Sequence, residues 1–542
     1  MPPVLNYPGV YIEELPSAVH TITGVATSIA AFVGWAPKGP GNRAVLVLSF
    51  SDFQTQFGGL DPRSYLGYAV NQFFANGGQQ AYIVRILWDG TLTAATGTTP
   101  SAASTASATV GGTLKLWASS PGQWGTSIQV SVTTQASGRF GVQVLQVNGT
   151  QTTILESFYN LSINSADPQY VINVIDNSSQ YITFIDPTAP GTPPAAPGAP
   201  TTTLTPVALT GTGLDGSVLN PLDGVNGDGN FEIALGSDPT ATGNQFGVHL
   251  LDRVDIFNLL CVPGETDVTT VQHLQTYCDN ERAFYIVDSP QTATVSSGAT
   301  NLNTDGPLGI NGISPGGLAG SGALTGNNSD HSAYYFPWVL APDPAGGNIP
   351  RFFPPCGFIA GIYASTDADR GVWKAPAGID AGLSGVSGLQ YVLTDLENGV
   401  VNVQGVNCLR QFKTYGDVVW GARTLQGSDA AGSQWKYVPI RRLALFLESS
   451  LYEGTQWVVF EPNDETLWGQ IRLNVGAFMQ GLFLQGAFQG TSPQQAYFVK
   501  CDSENNPQAS IDQGIVNILV GFAPLYPAEF VVIQIQQMAG QV

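Results

Sequence analysis

Short apolar runs alternate with helix-like segments over the first part of the chain. Ile29–Gly34 is a continuous apolar run and Ala81–Leu87 a mostly apolar one, and both predict strands of a core. Between them, Asp52–Gly58 predicts a short helix capped at Ser51, and Tyr65–Asn76 predicts a second helix that ends at a pair of glycines. Strands that alternate with helices are typical of an α/β fold.

The pattern changes over residues 91–245. Tracts rich in Thr, Ala, Ser, Gly and Pro at 91–113 and 186–230 have the composition of linkers. Between these tracts, polar and apolar residues alternate in runs such as Ile128–Val132 and Phe140–Val144, which predict strands. We therefore expect a β-rich domain that is inserted into a larger α/β unit.

Helices and strands return after the insertion, so we expect a discontinuous α/β (α+β) core formed by residues 22–90 and 246–524. Apolar residues at helical spacing follow Pro439, a residue type that suits the first turn of a helix. Asn463 has the residue type of an N-cap for the next helix. Ile515–Phe522 predicts a strand near the end of the core.

Both ends of the chain carry a strand pattern outside this core. The N-terminal arm, residues 1–21, has a break at Pro16 and a strand pattern at Val10, Tyr11, Ile12 and Glu13. The C-terminal arm strand lies in residues 525–542, after the breaks Pro524 and Pro527, and begins Phe530, Val531, Val532, Ile533, Gln534, Ile535. An isolated edge strand leaves backbone groups unpaired, so we expect each arm to pair with another chain and the prolines to act as hinges. The alternative is that both strands pair within their own subunit.

Composition and charge argue against several classes of protein. Of the 542 residues only 11% are charged, and the net charge is −21. Nucleic-acid binders need a basic stripe and anionic membranes attract basic segments, so we expect neither nucleic acid nor membrane insertion. The start of the chain lacks the basic and apolar regions of a secretion signal, and the five cysteines are scattered, so we expect synthesis in the cytoplasm.

Motifs associated with catalysis or metal binding occur in contexts that do not suit the chemistry. Gly211–Gly216 fits GxGxxG, but Pro221 and further glycines follow where a phosphate-binding helix should open. Gly312–Gly316 fits GxSxG, but a proline follows the serine in a glycine-rich stretch. Asn226, Asp228 and Asn230 resemble the first ligands of a calcium loop that lacks its glycine and its bidentate glutamate. We expect no catalytic site, no metal site, no cofactor and no enzyme activity.

Basic residues cluster in one part of this acidic chain. Residues 403–447 contain six of the 19 Lys and Arg residues, and the densest group is Lys436, Arg441 and Arg442. One interpretation is a solvated face with internal ion pairs. The other is a cationic patch that meets an acidic partner.

Ordered blocks along 1–90 and 250–542 make the chain recognisable. The chain resembles contractile tail sheath proteins at Tyr7–Glu14, Thr27–Gly34, Ala36–Pro40, Phe73–Gly78, Ala81–Arg85, Tyr335–Trp338, Ala360–Ala364, Arg370–Ala377, Gly405–Asn407, Trp420–Thr424, Tyr437–Arg442, Phe460–Asn463 and Leu467–Trp468. No single block is specific, but their ordered set is. The insertion 91–245 matches no block of the family.

The resemblance implies a subunit of a sleeve that polymerises as a helical stack of hexameric rings around a rigid inner tube. Such a sleeve contracts and drives the tube through a target envelope, in a virion tail or a phage-tail-like particle. The partners implied are neighbouring sheath subunits, the inner tube protein, and baseplate and terminal cap proteins. The arms would join the sheets of neighbours, 380–524 would face the tube with the basic patch, and the insertion would lie on the outer surface.

Two other functions stay open at this point. A β-rich adhesin or receptor-binding tail component would explain the Gly, Thr and Ser content, although not the helical C-terminal third. A hydrolase of envelope polymers would need a convergent set of catalytic groups. The sequence also leaves open whether the particle is a phage tail, a bacteriocin or an extracellular injection system.

Overall fold

A computed structural model describes residues 20–534 apart from 95–98, 149–150, 188, 190, 204, 212, 222–228, 239–244, 292–323, 325, 327 and 430. The predicted arm strand Val10–Glu13, the hinge Pro16, the arm residue Ile535, the GxSxG segment and the calcium-like Asn226 and Asp228 lie outside these residues. The chain divides into two compact units. The C-terminal unit consists of the described residues of Met1–Ala26, Gly371–Lys374 and Arg442–Val542. The large unit consists of the described residues of Thr27–Arg370 and Ala375–Arg441.

The large unit begins with the predicted alternation of strands and helices. Its first elements are β1 (Ala30–Gly34), β2 (Val45–Val47), α1 (Phe50–Phe57), α2 (Leu66–Ala75) and β3 (Ala81–Arg85). Helix α1 starts earlier than its sequence pattern predicts. Ser49, not Ser51, is the N-cap, because Ser49 has an extended backbone and its Oγ accepts a 3.1 Å hydrogen bond from the Asp52 N–H.

The inserted region is β-rich, as predicted. Its elements are β4 (Ser107–Val110), β5 (Leu114–Ala118), β6 (Ile128–Thr134), β7 (Phe140–Asn148), β8 (Gln151–Leu161), α3 (Val171–Ser178), β9 (Ile182–Thr183) and β10 (Val207–Ala208). They form two antiparallel sheets, ordered β10-β6-β7-β8 and β4-β5-β9. Alternate side chains of these strands point into a separate apolar core that includes Val130, Val142 and Ile175.

The chain then returns to the α/β pattern. The elements that follow are α4 (Asn230–Leu235), β11 (Leu259–Cys261), α5 (Val268–Asn280), β12 (Phe284–Asp288), β13 (Ser332–Phe336), β14 (Val339–Asp343), β15 (Ile349–Phe353), α6 (Cys356–Arg370), β16 (Gly388–Leu389), α7 (Asp395–Asn402), β17 (Val406–Phe412) and β18 (Gly416–Val419).

An eight-stranded sheet organises the large unit, in the order β18-β17-β13-β12-β11-β1-β3-β2. The strands from β17 to β3 are parallel, and β18 and β2 add antiparallel edges. Every residue of β1 and of β12 is buried, as expected for parallel strands covered on both faces. The chain places β3 on one side of β1 and β11 on the other, which creates a topological switch point between β1 and β11.

The last part of the predicted insertion packs with the main sheet. Leu219, Phe231 and Leu235 share a buried cluster with Ala31 and Val33 of β1, whereas the cluster of the β-rich sheets ends at Leu209. The β-rich body is therefore shorter at its C-terminal side than 91–245. The sequence does not show that the chain has returned to the main core, since apolar residues are sparse in 186–230 and its composition is that of a linker.

The C-terminal unit is built on two long helices and a small sheet. Its elements are α8 (Val438–Gly454, whose first four residues belong to the large unit), α9 (Glu465–Leu484), α10 (Pro493–Ala496), β19 (Tyr497–Lys500), α11 (Gln508–Asp512) and β20 (Leu519–Phe522). Leu443, Trp468 and Met479 form the centre of its core with Ile22 and Val372. Asp464, one residue after the predicted Asn463, caps α9 through the Leu467 N–H.

The fold is thus a mixed α/β fold with several sheets. Within 246–524, the second part of the predicted discontinuous core, the chain passes from one compact unit to the other at Arg441 and Arg442. None of the helices among the described residues has the length and apolar character needed to cross a membrane.

Candidate functional site

The root of the N-terminal arm lies along helix α8. Ser450 and Gly454 are one helical turn apart on the same face of α8 and provide room for an extended chain. The Val25 N–H donates a 3.1 Å hydrogen bond to Ser450 Oγ. Ile22 packs over Gly454 so closely that a Cβ at position 454 would lie 2.5 Å from Ile22 Cγ2.

The same contact continues at both ends of this groove. At one end, Gly24 lies against Phe446, where a Cβ at position 24 would be 2.8 Å from the ring. At the other end, the ring of His20 stacks on Trp457 with centroids 4.2 Å apart. Residues 20–25 are thereby fixed to the C-terminal unit, and the arm residues 1–19 begin from this point.

The two-stranded sheet of β19 and β20 has one buried and one exposed face. The buried face packs on the core of the C-terminal unit through Tyr497, Val499, Val520 and Phe522. On the opposite face, Phe498 pairs with Gly521, and Lys500 pairs with Leu519. Phe498 and Leu519 keep 53% and 52% of their surface exposed, so this face presents apolar side chains to solvent.

Both outer edges of this sheet are open within the described part of the chain. The antiparallel pairing of Tyr497–Lys500 with Leu519–Phe522 is the whole sheet among the residues that the structure describes. Each outer edge therefore presents main-chain groups that a further strand can use. Strand β20 lies within the predicted strand Ile515–Phe522, but the open edges of the sheet were not predicted from the sequence.

The C-terminal arm leaves the C-terminal unit directly after β20. Ala523 is held on both sides, since its N–H donates to Ala496 O at 2.8 Å and its carbonyl accepts from the Gln489 N–H at 2.9 Å. The predicted hinge Pro524 forms an isolated bridge with Phe488. Pro527 follows in a segment without regular secondary structure.

The predicted strand residues beyond Pro527 are exposed and have no regular secondary structure from Phe530 to Gln534. The exposed fractions of the four apolar side chains are 72% for Phe530, 79% for Val531, 81% for Val532 and 79% for Ile533. Four consecutive exposed apolar residues form the kind of apolar surface that interaction sites present.

The two arginines of the candidate basic patch do not form the exposed surface that the cationic interpretation expects. Arg441 and Arg442 are buried, with 7% and 3% of their surface exposed. Arg441 Nη2 donates to His331 Nε2, and Arg441 Nε lies 3.4 Å from Asp330 Oδ2. Burial works to raise the pKa of Asp330, but the hydrogen bond with His331 and the charge of Arg441 outweigh it, and the pKa lies below its ordinary value.

Lys436 does not extend this group. Its Nζ donates a 2.7 Å hydrogen bond to Asp429 Oδ1, which also accepts from the buried Arg423 at 3.0 Å. The hydrogen bond from Lys436, opposed by partial burial and helped by the charge of Arg423, lowers the pKa of Asp429. The internal ion-pair interpretation of 403–447 therefore describes Arg423, Lys436 and Arg441 better than a free cationic surface does.

The motifs with catalytic spacing were also located. The described residues of Gly211–Gly216 lie in a loop of the β-rich body, where Leu214 bridges Ser104, and no helix of the described residues opens at Gly216. Among the residues described, no group of three or more His, Cys, Asp or Glu side chains is placed to hold a metal. Asn230, the third residue of the calcium-like pattern, starts helix α4.

The switch point of the main sheet is the place where α/β folds commonly bind ligands. Here it is lined by the large side chains of Trp35, Tyr65 and Phe231 and by Pro263, among other residues. These side chains stand in the crevice that a cofactor would use in other folds of this type.

Comparison with protein families gives a match to the C-terminal part of the chain. A family model described as the phage tail sheath C-terminal domain matches residues 430–538. This range includes α8, α9, both strands of the open sheet and the exposed segment from Phe530.

Two curated relatives are tail sheath proteins. The chain is 27% identical over 164 residues to the tail sheath protein of Vibrio phage KVP40, a match that covers 30% of this chain and 23% of the phage protein. It is 27% identical over 184 residues to a putative prophage major tail sheath protein of Pseudomonas aeruginosa (strain UCBPP-PA14), which covers 34% of this chain and 45% of that protein. The matched segments thus span less than half of either relative.

Solved sheath proteins share the fold over nearly the whole chain. The match to the sheath complex of the extracellular contractile injection system PVC, in its contracted state, has a TM-score of 0.56 at 21% identity and covers 98% of both chains. The contracted helical sheath of the anti-feeding prophage gives 0.55 at 23% identity, with 98% and 100% covered. A sheath tail protein from Listeria innocua gives 0.58 at 12% identity, with 93% and 97% covered. These findings confirm the resemblance to contractile tail sheath proteins.

Proposed function

We propose that this chain is the sheath subunit of a contractile phage tail or phage-tail-like particle, and that its subunits are joined by strand exchange through their arms. The observation that carries the proposal is the pairing of two features in the C-terminal unit, an open two-stranded sheet and an exposed apolar tail. Each feature supplies what the other lacks, and the tail sheath domain match covers both.

The tail has the chemistry of a donated strand. In an extended conformation, Phe530 and Val532 would lie on one face of the strand and Val531 and Ile533 on the other, so both faces would be apolar. Its main chain can form a ladder of hydrogen bonds with a free strand edge, and its side chains then choose the register. Pro524 and Pro527 mark the place where the donated strand leaves its own subunit.

The β19–β20 sheet has the chemistry of an acceptor. Its buried face anchors it to the C-terminal unit, and its exposed face offers Phe498 and Leu519 as apolar neighbours for an added strand. A third and a fourth strand would extend the sheet without any change in the core. We propose that the C-terminal strand and the N-terminal strand Val10–Glu13 of other copies fill these two edges.

Strand exchange of this kind joins two different surfaces of the same molecule. Such a heterologous contact does not close on a pair, so it produces rings or helical assemblies. Hexameric rings stacked around a rigid inner tube, with baseplate and cap proteins at the ends, are the assembly that the resemblance implies. In this proposal the insertion lies on the outer surface and part of 380–524 faces the tube.

The arms also suit contraction. Pro16, Pro524 and Pro527 would act as hinges that keep subunits joined while their bodies move between two packings. We propose that the energy is stored during assembly and that no cofactor takes part. The relatives and solved structures that the chain resembles are structural sheath proteins, which favours this function over an adhesin or a hydrolase.

The proposal is tested by breaking the donated strand without touching the body. Val532→Pro removes one N–H and one ladder position, and deletion of 530–542 removes the whole strand. Because Val532 is exposed in the single chain, both variants should keep the melting temperature of the wild type. We expect the wild type to form striated tubes under the electron microscope and both variants to stay unpolymerised; Val532→Thr, which keeps the N–H, should assemble. Normal tubes from the deletion variant would overturn the proposal.

A further inference from the structure

The turn between Val458 and Glu461 has an aromatic residue where a glycine is expected. The Glu461 N–H donates a 3.1 Å hydrogen bond to Val458 O, and Val459 has φ −67° and ψ 128°. Phe460 follows with φ 71°. These values define a type II turn, whose third position requires positive φ and usually holds Gly or Asn. A phenylalanine adopts this conformation only with steric strain.

The same residue is fully exposed. The exposed fraction of Phe460 is 102%, and its neighbours Val459 and Tyr452 are 59% and 53% exposed. A strained backbone that holds an aromatic ring in water does not stabilise the isolated chain. Strain of this kind is kept where the conformation serves a contact or a mechanism.

The charge around the turn indicates the chemistry of the partner. Glu453, Glu461, Asp464 and Glu465 are exposed, and the sequence has no Lys or Arg between Arg442 and Arg472. We call Tyr452, Glu453, Val459, Phe460 and Glu461 the acidic aromatic tip. A surface that covers this tip must be apolar and must carry positive charge.

The hairpin between β17 and β18 presents such a surface. Lys413 lies exposed in the connection, and Tyr415 and Trp420 are 54% and 37% exposed. The ring of Phe412 packs against Trp420 with centroids 4.6 Å apart, which holds the indole in place. Aromatic rings beside a cation are the groups that most often dominate binding energy at protein interfaces.

We infer that the acidic aromatic tip of one copy binds the β17–β18 hairpin of a second copy, with Phe460 covered by Tyr415 and Trp420 and Glu461 opposite Lys413. The inference rests on the proposed function, because it assumes that copies of the chain assemble. It adds a contact between bodies, separate from the arms. The two surfaces differ, so the contact is heterologous, as a polar helical assembly requires.

The test separates folding from association at one residue. Phe460→Gly relieves the strained turn and removes the exposed ring, so the full-length variant should melt at or above the temperature of the wild type. The critical concentration for polymerisation, measured by sedimentation, should rise about tenfold or more, as for the loss of an interface hot spot. Phe460→Asn, which also suits positive φ, should behave in the same way.

Charge exchange identifies the second surface. Glu461→Lys and Lys413→Glu should each weaken polymerisation, and the double variant should recover most of it. Asp369→Lys, an equal charge change at an exposed residue outside the tip, serves as the control. If the wild type forms tubes and Phe460→Gly polymerises at the same critical concentration, the inference is overturned but the proposed function is not. A wild type that forms no assembly would contradict the proposed function, and the inference would fall with it.

Discussion

The ring of Phe498 lies over Gly521 on the exposed face of the β19–β20 sheet. The two residues are direct cross-strand partners, and a Cβ at position 521 would be 2.1 Å from Phe498 Cε1. An aromatic ring that covers a cross-strand glycine shields the main chain that glycine leaves bare. This pair therefore sets the shape of the face next to which an added strand would lie.

Gly521→Ala tests this relationship. The methyl group would push the Phe498 ring away, but the ring is half exposed and can turn, so the loss of stability should be under about 1 kcal/mol. We expect the melting temperature to change little and polymerisation to weaken, because the displaced ring alters the surface beside the donated strand. A variant that assembles like the wild type would show that this face is not used.

The root of the N-terminal arm gives a second prediction. Gly454→Val places a branched side chain where Ile22 packs on α8, and the crowding should cost about 1–3 kcal/mol. Residues 20–25 should detach from the helix, which limited proteolysis would detect as faster cleavage near His20. Gly476→Ala is the control, since a Cβ there meets no atom within 4 Å beyond the backbone of its own helix, and alanine favours a helix. Equal cleavage of the Gly454 variant and the wild type would contradict the packing.

Arg441 gives a third prediction. The sequence suggests a surface residue of a cationic patch, whereas the structure buries its side chain. Arg441→Glu would bury a carboxylate beside Asp330, so it should destabilise the chain by about 3–5 kcal/mol. Lys436→Glu breaks an exposed pair with Asp429 and a contact of the ammonium with the Tyr437 ring, and a loss of about 1 kcal/mol is expected. Thermal unfolding of the two variants compares them directly. Equal melting temperatures would show that Arg441 is not an interior ion-pair residue.

Lys38 links the body to the insertion and gives a fourth prediction. Its Nζ lies 4.7 Å from the ring centroid of Trp124 and 4.3 Å from that of Tyr181, and it donates to Thr55 O at 2.7 Å. Burial lowers the pKa of Lys38 from 10.5 to about 8, although Glu156 opposes the shift.

Between those two values the unfolded chain holds this proton more often than the folded chain does. Stability should therefore rise as the pH increases above about 8, because the cost of the buried charge disappears. Lys38→Met should remove this part of the pH dependence, as measured by the melting temperature of variant and wild type at each pH. If the melting temperatures of Lys38→Met and the wild type change with pH in the same way, the lowered pKa does not belong to Lys38.

A fifth prediction concerns Asp288 at the end of β12. Its carboxylate accepts hydrogen bonds from the Cys356 N–H at 2.8 Å and from the Gly264 N–H at 3.0 Å, and burial raises its pKa to about 7. Asp288→Ala leaves two buried donors without an acceptor and should cost about 2–5 kcal/mol. Asp288→Asn keeps an acceptor oxygen and should cost less. If calorimetry shows that Asp288→Asn is less stable than Asp288→Ala, this account is contradicted.

The local pattern predicted the elements of the fold well where one element decides its own structure. Ala30–Gly34, Leu66–Ala75 and Glu465–Leu484 all form as their apolar spacing predicts. The caps at Ser49 and Asp464 lie within two residues of the predicted Ser51 and Asn463, since neighbouring residues of similar type compete for the same N–H groups.

The pattern could not show contacts between distant parts of the chain. Arg441 has the sequence context of a surface residue, but its side chain is buried and donates a hydrogen bond to His331, which is 110 residues away in the sequence. Likewise, Leu219 and Phe231 join the main core from a stretch with the composition of a linker. The edges of β19 and β20 are open because no third strand of the described residues pairs with them. A sequence pattern shows which residues form a strand, but it does not show which strands become neighbours.

The most direct measurement of the central claim is a cryo-EM map of the polymerised chain at a resolution that shows side chains. The account predicts that the strand from Phe530 to Gln536 continues from its own body into the β19–β20 sheet of another copy. A map in which this strand folds back onto the sheet of its own subunit, with no exchange between copies, would contradict it.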